Sequence, residues 1–370
     1  MKRVQRVVVA AVAALVVGVA GTGAGHGVER PGLQERLERV VGGGGALGVM
    51  VEVRDERGVW RASSGVGELG TGRGVPVRGH FRVGSISKTF LATVVLQLVD
   101  EGELRLDDTV EAWLPGVVPG GAGMTLRQLL NHTSGVYDYV RTLPMPPGQE
   151  FVKNRWRTWS ADELVRRAVA NPPSVEPPGA GYSYSNTGYL LLGRIVEKAT
   201  GRSYADEIGQ RIIGPLRLGG TSVPGTSPRI PHPRPRAYLP VEPGGTARPT
   251  DYTEMNPSLF GAAGEMISTT RDLNRFVAAL LDGTLIPAHL LDEMKKPGVA
   301  GATYGLGLDW YDTTCGIRVY GNDGDALAHQ AWLYSTADGR RQATVGLTSN
   351  RPADPADAVH ALLDDAFCDQ

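Results

Sequence analysis

Gly84-Ser85-Ile86-Ser87-Lys88-Thr89-Phe90-Leu91-Ala92-Thr93-Val94-Val95-Leu96-Gln97-Leu98-Val99 changes the period of the chain. Phe90, Leu91, Val94, Val95, Leu98 and Val99 recur at helical spacing, and the run stops at Gly102. The pattern predicts a helix of about 16 residues, apolar enough to be buried. A serine at the opening of such a helix has its backbone N–H among the unpaired donors of the first turn, and a lysine three residues on lies on the same face. A nucleophile, a nearby base and an oxyanion donor therefore share one turn. With 16 Ser and 6 Lys in the chain, about a quarter of one such spacing arises by chance. Two readings stand at this point. Either Lys88 is held in the apolar helix by partners, since burying an unpartnered ammonium is costly, or it snorkels to solvent while Ser85 caps the helix.

Working outward, Leu33 to Val41 reads as a helix, and Leu47 to Arg54 with Val59 to Gly67 reads as a hairpin around Asp55-Glu56-Arg57-Gly58. Asp108 to Gly264 is rich in Pro and Gly between shorter helical patterns at Ala161 to Ala170 and Thr187 to Ala199. Further helices are predicted at Thr270 to Asp282 and Pro287 to Lys296. Strands are predicted at Gly316 to Tyr320, Ala328 to Thr336 and Gln342 to Ser349, the last two separated by the Ala-Asp-Gly-Arg turn at 337–340, and a closing helix at Asp354 to Ala366. Strands at both ends around a helical middle predict an α/β domain built from 25–107 and 265–370, with a mainly helical domain, 108–264, inserted between.

At 370 residues and 41% hydrophobic, the chain has enough apolar material for a substantial core. Its 38 Lys plus Arg against 39 Asp plus Glu leave a formal charge of −1, which gives no overall drive toward nucleic acid or anionic membrane. Lys2, Arg3 and Arg6, then an apolar run from Val7 to Val19, then small residues through Ala24 form an export signal over 1–24, with cleavage near Ala20 or Ala24. The competing reading, a retained anchor, requires a longer apolar run, about 20 residues. After cleavage no stable membrane insertion is expected, and the mature protein is expected outside the cytoplasm. In an exported chain the even pair Cys315 and Cys368 is expected to form a disulfide.

Tyr184-Ser185-Asn186 is the second constellation. A phenol near a desolvated lysine can share its proton, and an asparagine amide can orient both the lysine and a substrate amide. With Phe81-Arg82-Val83-Gly84-Ser85-Ile86-Ser87-Lys88, Leu106-Asp107-Asp108, Leu129-Leu130-Asn131-His132-Thr133-Ser134-Gly135 and Tyr182-Ser183-Tyr184-Ser185-Asn186-Thr187-Gly188-Tyr189 in this order, the chain resembles the penicillin-recognising serine hydrolases. Within them it is similar to the secreted D-alanyl-D-alanine carboxypeptidases and class C β-lactamases. The stretch from Cys315 to Ala366-Phe367-Cys368 resembles the actinobacterial carboxypeptidase branch, where two such cysteines are bridged. The resemblance implies the serine β-lactamase-like fold, an antiparallel sheet flanked by helices. It also implies that Ser85 is the acyl-accepting nucleophile, Lys88 its proton partner, Tyr184 the shuttle to the leaving group and Asn186 the orienting amide. No metal or other cofactor is implied.

The third motif departs from the pattern. Relatives place His or Lys, a small residue and Gly on the strand lining the site, where this chain has Asn322-Asp323-Gly324. Asparagine hydrogen-bonds but supplies no positive charge. Asp323, Asp325 and Asp309 lie in the region that in the carboxypeptidases receives a substrate carboxylate, and like charges at ~4 Å repel by roughly 4 kcal/mol at an effective dielectric constant near 20. The backbone N–H of Asp325 is expected to complete the oxyanion hole with that of Ser85, beside Gly324. His329, expected at an exposed strand end, is a weaker substitute for the missing histidine. His132 reads as structural, and Arg155-Trp156-Arg157-Thr158-Trp159 as packing ahead of the Ala161 helix, with a pocket rim as its alternative. The leading expectation is a carboxypeptidase or β-lactamase type acyl-hydrolase acting on small peptides, peptidoglycan-like peptides or β-lactams. The alternatives are an esterase or D-amino-acid amidase whose substrate lacks a free carboxylate, and a noncatalytic cell-wall or antibiotic binder.

Overall fold

The structure, a computed structural model, describes residues 28–146, 148–241, 248–349 and 353–368. The expected export signal at 1–24 lies outside them. The main sheet is antiparallel and runs β2 (Gly58–Gly65), β1 (Ala46–Asp55), β10 (Gln342–Ser349), β9 (His329–Thr336), β8 (Arg318–Asp325), β7 (Asp309–Asp312). Two short ribbons accompany it: β3 (Phe81–Arg82) with β6 (Ile267–Ser268), and β4 (Tyr238–Val241) with β5 (Arg248–Asp251).

Side chains alternate across a strand, so β1 sends Val49, Val51 and Val53 to one face and Met50 to the other. The first face is covered by the helices Pro31–Gly42 and Ala356–Cys368, which bring Leu33, Leu37, Leu362, Leu363 and Phe367 onto it. The second packs against the larger core around the helix Ile86–Asp100. Covered on both sides, β1 and β10 are buried along most of their length; β1 reads as a nearly continuous apolar run, whereas β10 alternates Ala343, Val345 and Leu347 with Thr344, Gly346 and Thr348. A helix apolar all round belongs inside a protein, and twelve of the fifteen residues of Ile86–Asp100 are buried, with Phe90 stacked on Phe276 at 3.6 Å between ring centroids. The helix stops where Gly102, at φ +79°, follows its last turn.

The hairpin, the buried helix, β9, β10 and the closing helix lie within a few residues of expectation. The strand expected at Gly316 to Tyr320 runs instead from Arg318 to Asp325, because the polar Gly321-Asn322-Asp323-Gly324-Asp325 stretch, which has the composition of a turn, pairs with Gln330–Tyr334. β7 and the short ribbons were not expected; each is four residues or fewer and carries no period to detect. His329 corrects another expectation. It is the first residue of β9 but is fully buried, because the chain doubles back at 325–328 and packs it near Arg82, whose charge, after burial itself, holds its imidazole down at about 3. Trp159 is buried under Arg157 ahead of the Ala161–Val169 helix, while Trp156 stays exposed.

Cys315 and Cys368 form a disulfide with their Cα atoms 5.8 Å apart, tying the turn before β8 to the end of the last helix. Among the described residues no helix is long and apolar enough to cross a membrane, and no cluster of His, Cys, Asp and Glu is placed to hold a metal ion.

Candidate active site

Ser85 precedes the buried helix, and Lys88, one turn on, is wholly enclosed. An ammonium has three hydrogens to place. Lys88 Nζ donates to Ser85 Oγ at 3.0 Å, Asn186 Oδ1 at 2.8 Å and the carbonyl of Ala263 at 2.7 Å. The snorkelling reading is therefore excluded. Burial pushes the lysine down to about 7, against the opposing pull of Asp138 and Asp323. Ser85 Oγ and Tyr184 OH share a hydrogen bond of 2.6 Å. Burial drives the phenol well above its ordinary range, an effect only partly offset by Ser85. Near neutrality the amine is divided between its two protonation states while the phenol keeps its proton. The lysine is thus the group able to accept the hydroxyl proton, with the phenol in line to pass one on.

Tyr184 lies just ahead of the helix Asn186–Thr200 and Asn186 is its first residue, the two held against residues 132–139 by a ladder of bonds. Ser183 N–H donates to the His132 carbonyl at 2.8 Å, Ser185 N–H to His132 Nδ1 at 3.2 Å, Asn186 N–H to Asp138 Oδ1 at 3.2 Å, and Tyr139 N–H to Thr187 Oγ1 at 3.0 Å. His132 sits at φ +60°, unusual for a side chain of its size, and its ring lies 4.2 Å from that of Tyr184. Burial and the Lys88 charge hold it well below its ordinary range, so it is a neutral wall of the site.

The end of β8 meets Ser85 backbone to backbone. A Cβ on Gly324 would lie 2.0 Å from the Val83 carbonyl oxygen and 2.7 Å from Ser85 N, and one on Gly84 would lie 2.7 Å from the Asp325 carbonyl oxygen. Only glycines permit this approach, which sets the main chain of Asp325 beside that of Ser85. The Asp325 carboxylate accepts from Leu327 N–H and Gln330 Nε2. Asn322 is buried, with its amide donating to Thr89 Oγ1 and Tyr304 OH, both at 3.2 Å. Both its hydrogens are used, one in fastening β8 to the helix through Thr89 and one on Tyr304, so it offers a ligand no donor.

A cleft of about 420 Å³ opens over Ser85, Tyr184 and Asn186. Val140, Met145, Phe260 and Leu327 give it an apolar wall. Among the described residues lining it are three carboxylates, Asp309, Asp323 and Asp325, and no Lys, Arg or His. Asp323 is open to the cleft yet crowded by protein, and this partial burial, followed by the neighbouring Asp309, lifts its carboxyl above the usual range. The same carboxylates, after burial, help push Tyr182 up to about 12. His329 is not among the lining residues and does not stand in for the missing histidine.

Asp138, Tyr304 and the carbonyl of Ala263 join the site without having been expected there from the sequence. Asp138 had a signal, being the one charged residue between Gln128 and Val140. A main-chain carbonyl has none.

The family model described as Beta-lactamase matches residues 33–367. The chain belongs to the beta-lactamase family. It is a serine hydrolase of the β-lactamase fold, the mixed α/β architecture seen here. Penicillin-binding protein 4 of Amycolatopsis lactamdurans is 32% identical over 316 residues, covering 78% of this chain and 76% of the relative. Among solved structures, a D-stereospecific amidohydrolase from Streptomyces sp. superposes with a TM-score of 0.81 at 38% identity, covering 91% of this chain and 98% of that one. D-amino acid amidase from Ochrobactrum anthropi SV3, complexed with L-phenylalanine amide, superposes with a TM-score of 0.78 at 28% identity, covering 91% and 97%. Enzyme membership removes the noncatalytic binder from the readings.

Proposed function

We propose that this β-lactamase-family hydrolase is exported and cleaves amides and esters of D-amino acids that lack a free carboxylate at the scissile end, through an acyl-enzyme on Ser85. The observation that carries the substrate class is the set of three cleft carboxylates with no basic residue among the described lining. At ~4 Å one such charge disfavours a terminal carboxylate by roughly 4 kcal/mol at an effective dielectric constant near 20, about a thousandfold, and favours a substrate ammonium. The names of the two solved relatives support the amide and the D configuration. The disulfide and the basic-apolar-small start of the chain support export.

In this reading Lys88, as the neutral amine, takes the Ser85 proton while Oγ attacks the carbonyl carbon. The N–H groups of Ser85 and Asp325 receive the oxyanion. As the tetrahedral intermediate collapses, the carbon–nitrogen bond breaks and Tyr184 delivers a proton to the departing amine, replenished from Lys88. Water then repeats the attack on the ester, releasing the acid and restoring the Ser85 hydroxyl. The 32% identity to penicillin-binding protein 4, together with the sequence resemblance to D-alanyl-D-alanine carboxypeptidases, favours a second reading, a carboxypeptidase acting on D-Ala-D-Ala peptides.

One comparison separates them. D-phenylalanine amide, its methyl ester, the L enantiomers and a D-Ala-D-Ala-terminated peptide are supplied to the protein and to Ser85→Ala, with intact mass read at early times. The proposal expects D-amide and D-ester turnover at least ~100-fold above the peptide, and a Ser85-dependent adduct. Preferential turnover of the free-carboxylate peptide overturns it in favour of the second reading.

A further inference from the structure

Asp138 stands behind the cleft, 8% exposed, on the 132–139 segment. Its Oδ1 accepts from Asn186 N–H and Val140 N–H, each at 3.2 Å, and Asn186 Nδ2 lies 3.3 Å from Oδ1 and 3.2 Å from Oδ2. An asparagine amide has a donor end and an acceptor end, and which way it faces is set by its partners. With the NH2 of Asn186 drawn to a carboxylate, its oxygen is turned to Lys88 Nζ at 2.8 Å. The reversed amide would set two NH2 hydrogens against the lysine and an oxygen against the carboxylate, losing both contacts.

We propose that Asp138 is a positioning residue of this catalytic centre: through Asn186 it orients the acceptor that holds Lys88, and it keeps a standing negative charge behind that amine. The proposal rests on the reading of Ser85 as nucleophile and Lys88 as its base. The groups that face Lys88 from every side are Ser85 and Tyr184, Asn186, the Ala263 carbonyl, the rings of Tyr189 and neutral His132, and the two carboxylates Asp138 and Asp323. Asp323 opens on the cleft, where a bound substrate ammonium compensates it. Asp138 is enclosed, so its influence is present with the cleft empty or filled.

Burial carries Lys88 down to about 7, and Asp138 is the larger of the two charges that resist. Removing that charge leaves the amine unprotonated to lower pH. The reaction of Ser85 with a neutral fluorophosphonate, which makes no demand on the acidic side of the cleft, reads this directly as labelling rate against pH. The variants are Asp138→Asn and Asp138→Ser. Both delete the charge, and both keep an oxygen able to cap Val140 N–H. Asp138→Glu retains the charge. Wild type is expected to gain reactivity through about pH 7. In the Asn and Ser variants the limb is expected about one unit lower, with the plateau reduced roughly tenfold or more as Asn186 loses its anchor. Asp138→Glu is expected to return the limb toward its wild-type position. A reduced plateau or melting temperature with the limb unmoved in both neutral variants overturns the role of Asp138 and leaves the Ser85 reading intact. Absence of Ser85 labelling in wild type overturns the nucleophile reading, and Asp138 with it.

Discussion

Lys88 is the residue at which function and stability pull apart. Its ordinary value of 10.5 falls to about 7 in the fold through burial. Below about 7 the amine is charged in both the folded and unfolded chain, so the desolvation penalty is fully present there. It fades as pH rises toward 10.5, where the unfolded chain also becomes neutral. A difference of this size corresponds to an order of 5 kcal/mol. Lys88→Met should therefore abolish hydrolysis yet melt higher than wild type at pH 6, with the gain shrinking toward pH 10 in thermal scans. A gain independent of pH would show that packing rather than charge had changed. For activity the sign is opposite in practical terms, since in the proposed mechanism the neutral amine is the base. kcat/KM on a neutral ester should fall about tenfold for each unit below pH 7, and Lys88→Arg, whose guanidinium does not give up its proton, should be inactive. Asp323 gives a second residue-level test. Asp323→Asn removes one cleft charge and should raise kcat/KM for a D-Ala-D-Ala peptide by about tenfold or more while lowering it for a D-amino acid amide; movement of both in the same direction would assign Asp323 a structural part. Ser85, Lys88, Tyr184 and Asn186 were legible in the sequence because a helical turn and a short ordered motif fix their spacing. Asp138 is joined to Asn186 by hydrogen bonds between segments distant in sequence, which leave no period along the chain.

At the scale of elements, β8 joins the Ser85 helix to the sheet, and it is where composition misled. Gly321-Asn322-Asp323-Gly324-Asp325 looks like a turn, yet pairing with Tyr334 through Gln330 satisfies its backbone, and its glycines are required by proximity rather than by flexibility. Gly324 is the sharpest instance. An added methyl would stand 2.0 Å from the Val83 carbonyl oxygen and 2.7 Å from Ser85 N, so the strand must retreat from the helix. Gly324→Ala should cost at least ~100-fold in kcat, the scale of losing an oxyanion donor, with KM changed much less. Gly219→Ala, where nothing lies within 4 Å of the new carbon, is the matched control. Equal activity in the two variants would remove β8 from the oxyanion site. The buried helix was legible from its period, β9 from its apolar run Ala331 to Tyr334, and β10 from the alternation of Ala343, Val345 and Leu347 with Thr344, Gly346 and Thr348. The two-residue ribbon of Phe81–Arg82 with Ile267–Ser268 is held by tertiary context alone.

Over the whole molecule, the chain enters the sheet near its start, leaves it for the helices around Ser85, and returns to close it with β7 to β10. The strand carrying Asn322 to Asp325 toward the cleft begins, at its other end, next to Cys315. The disulfide to Cys368 fastens that end to the last helix, which covers the opposite face of the sheet from the Ser85 helix. The bridge spans a sequence separation of 53 residues; closing a loop of that length restricts the unfolded chain by ~4 kcal/mol in the entropy model. For a domain of this size such a loss corresponds to a fall in melting temperature of about 4–8 °C. Cys315→Ser with Cys368→Ser should melt lower by that margin in thermal scans. The kcat/KM of the double variant at 25 °C should stay within about twofold of wild type, because the end of β8 beside Ser85 is held independently by its approach to Val83 and Ser85 and by the Asn322 bonds to Thr89 and Tyr304. A variant that melts normally but loses turnover would instead place the bridge in control of strand position, transmitting its tension along β8 to the cleft.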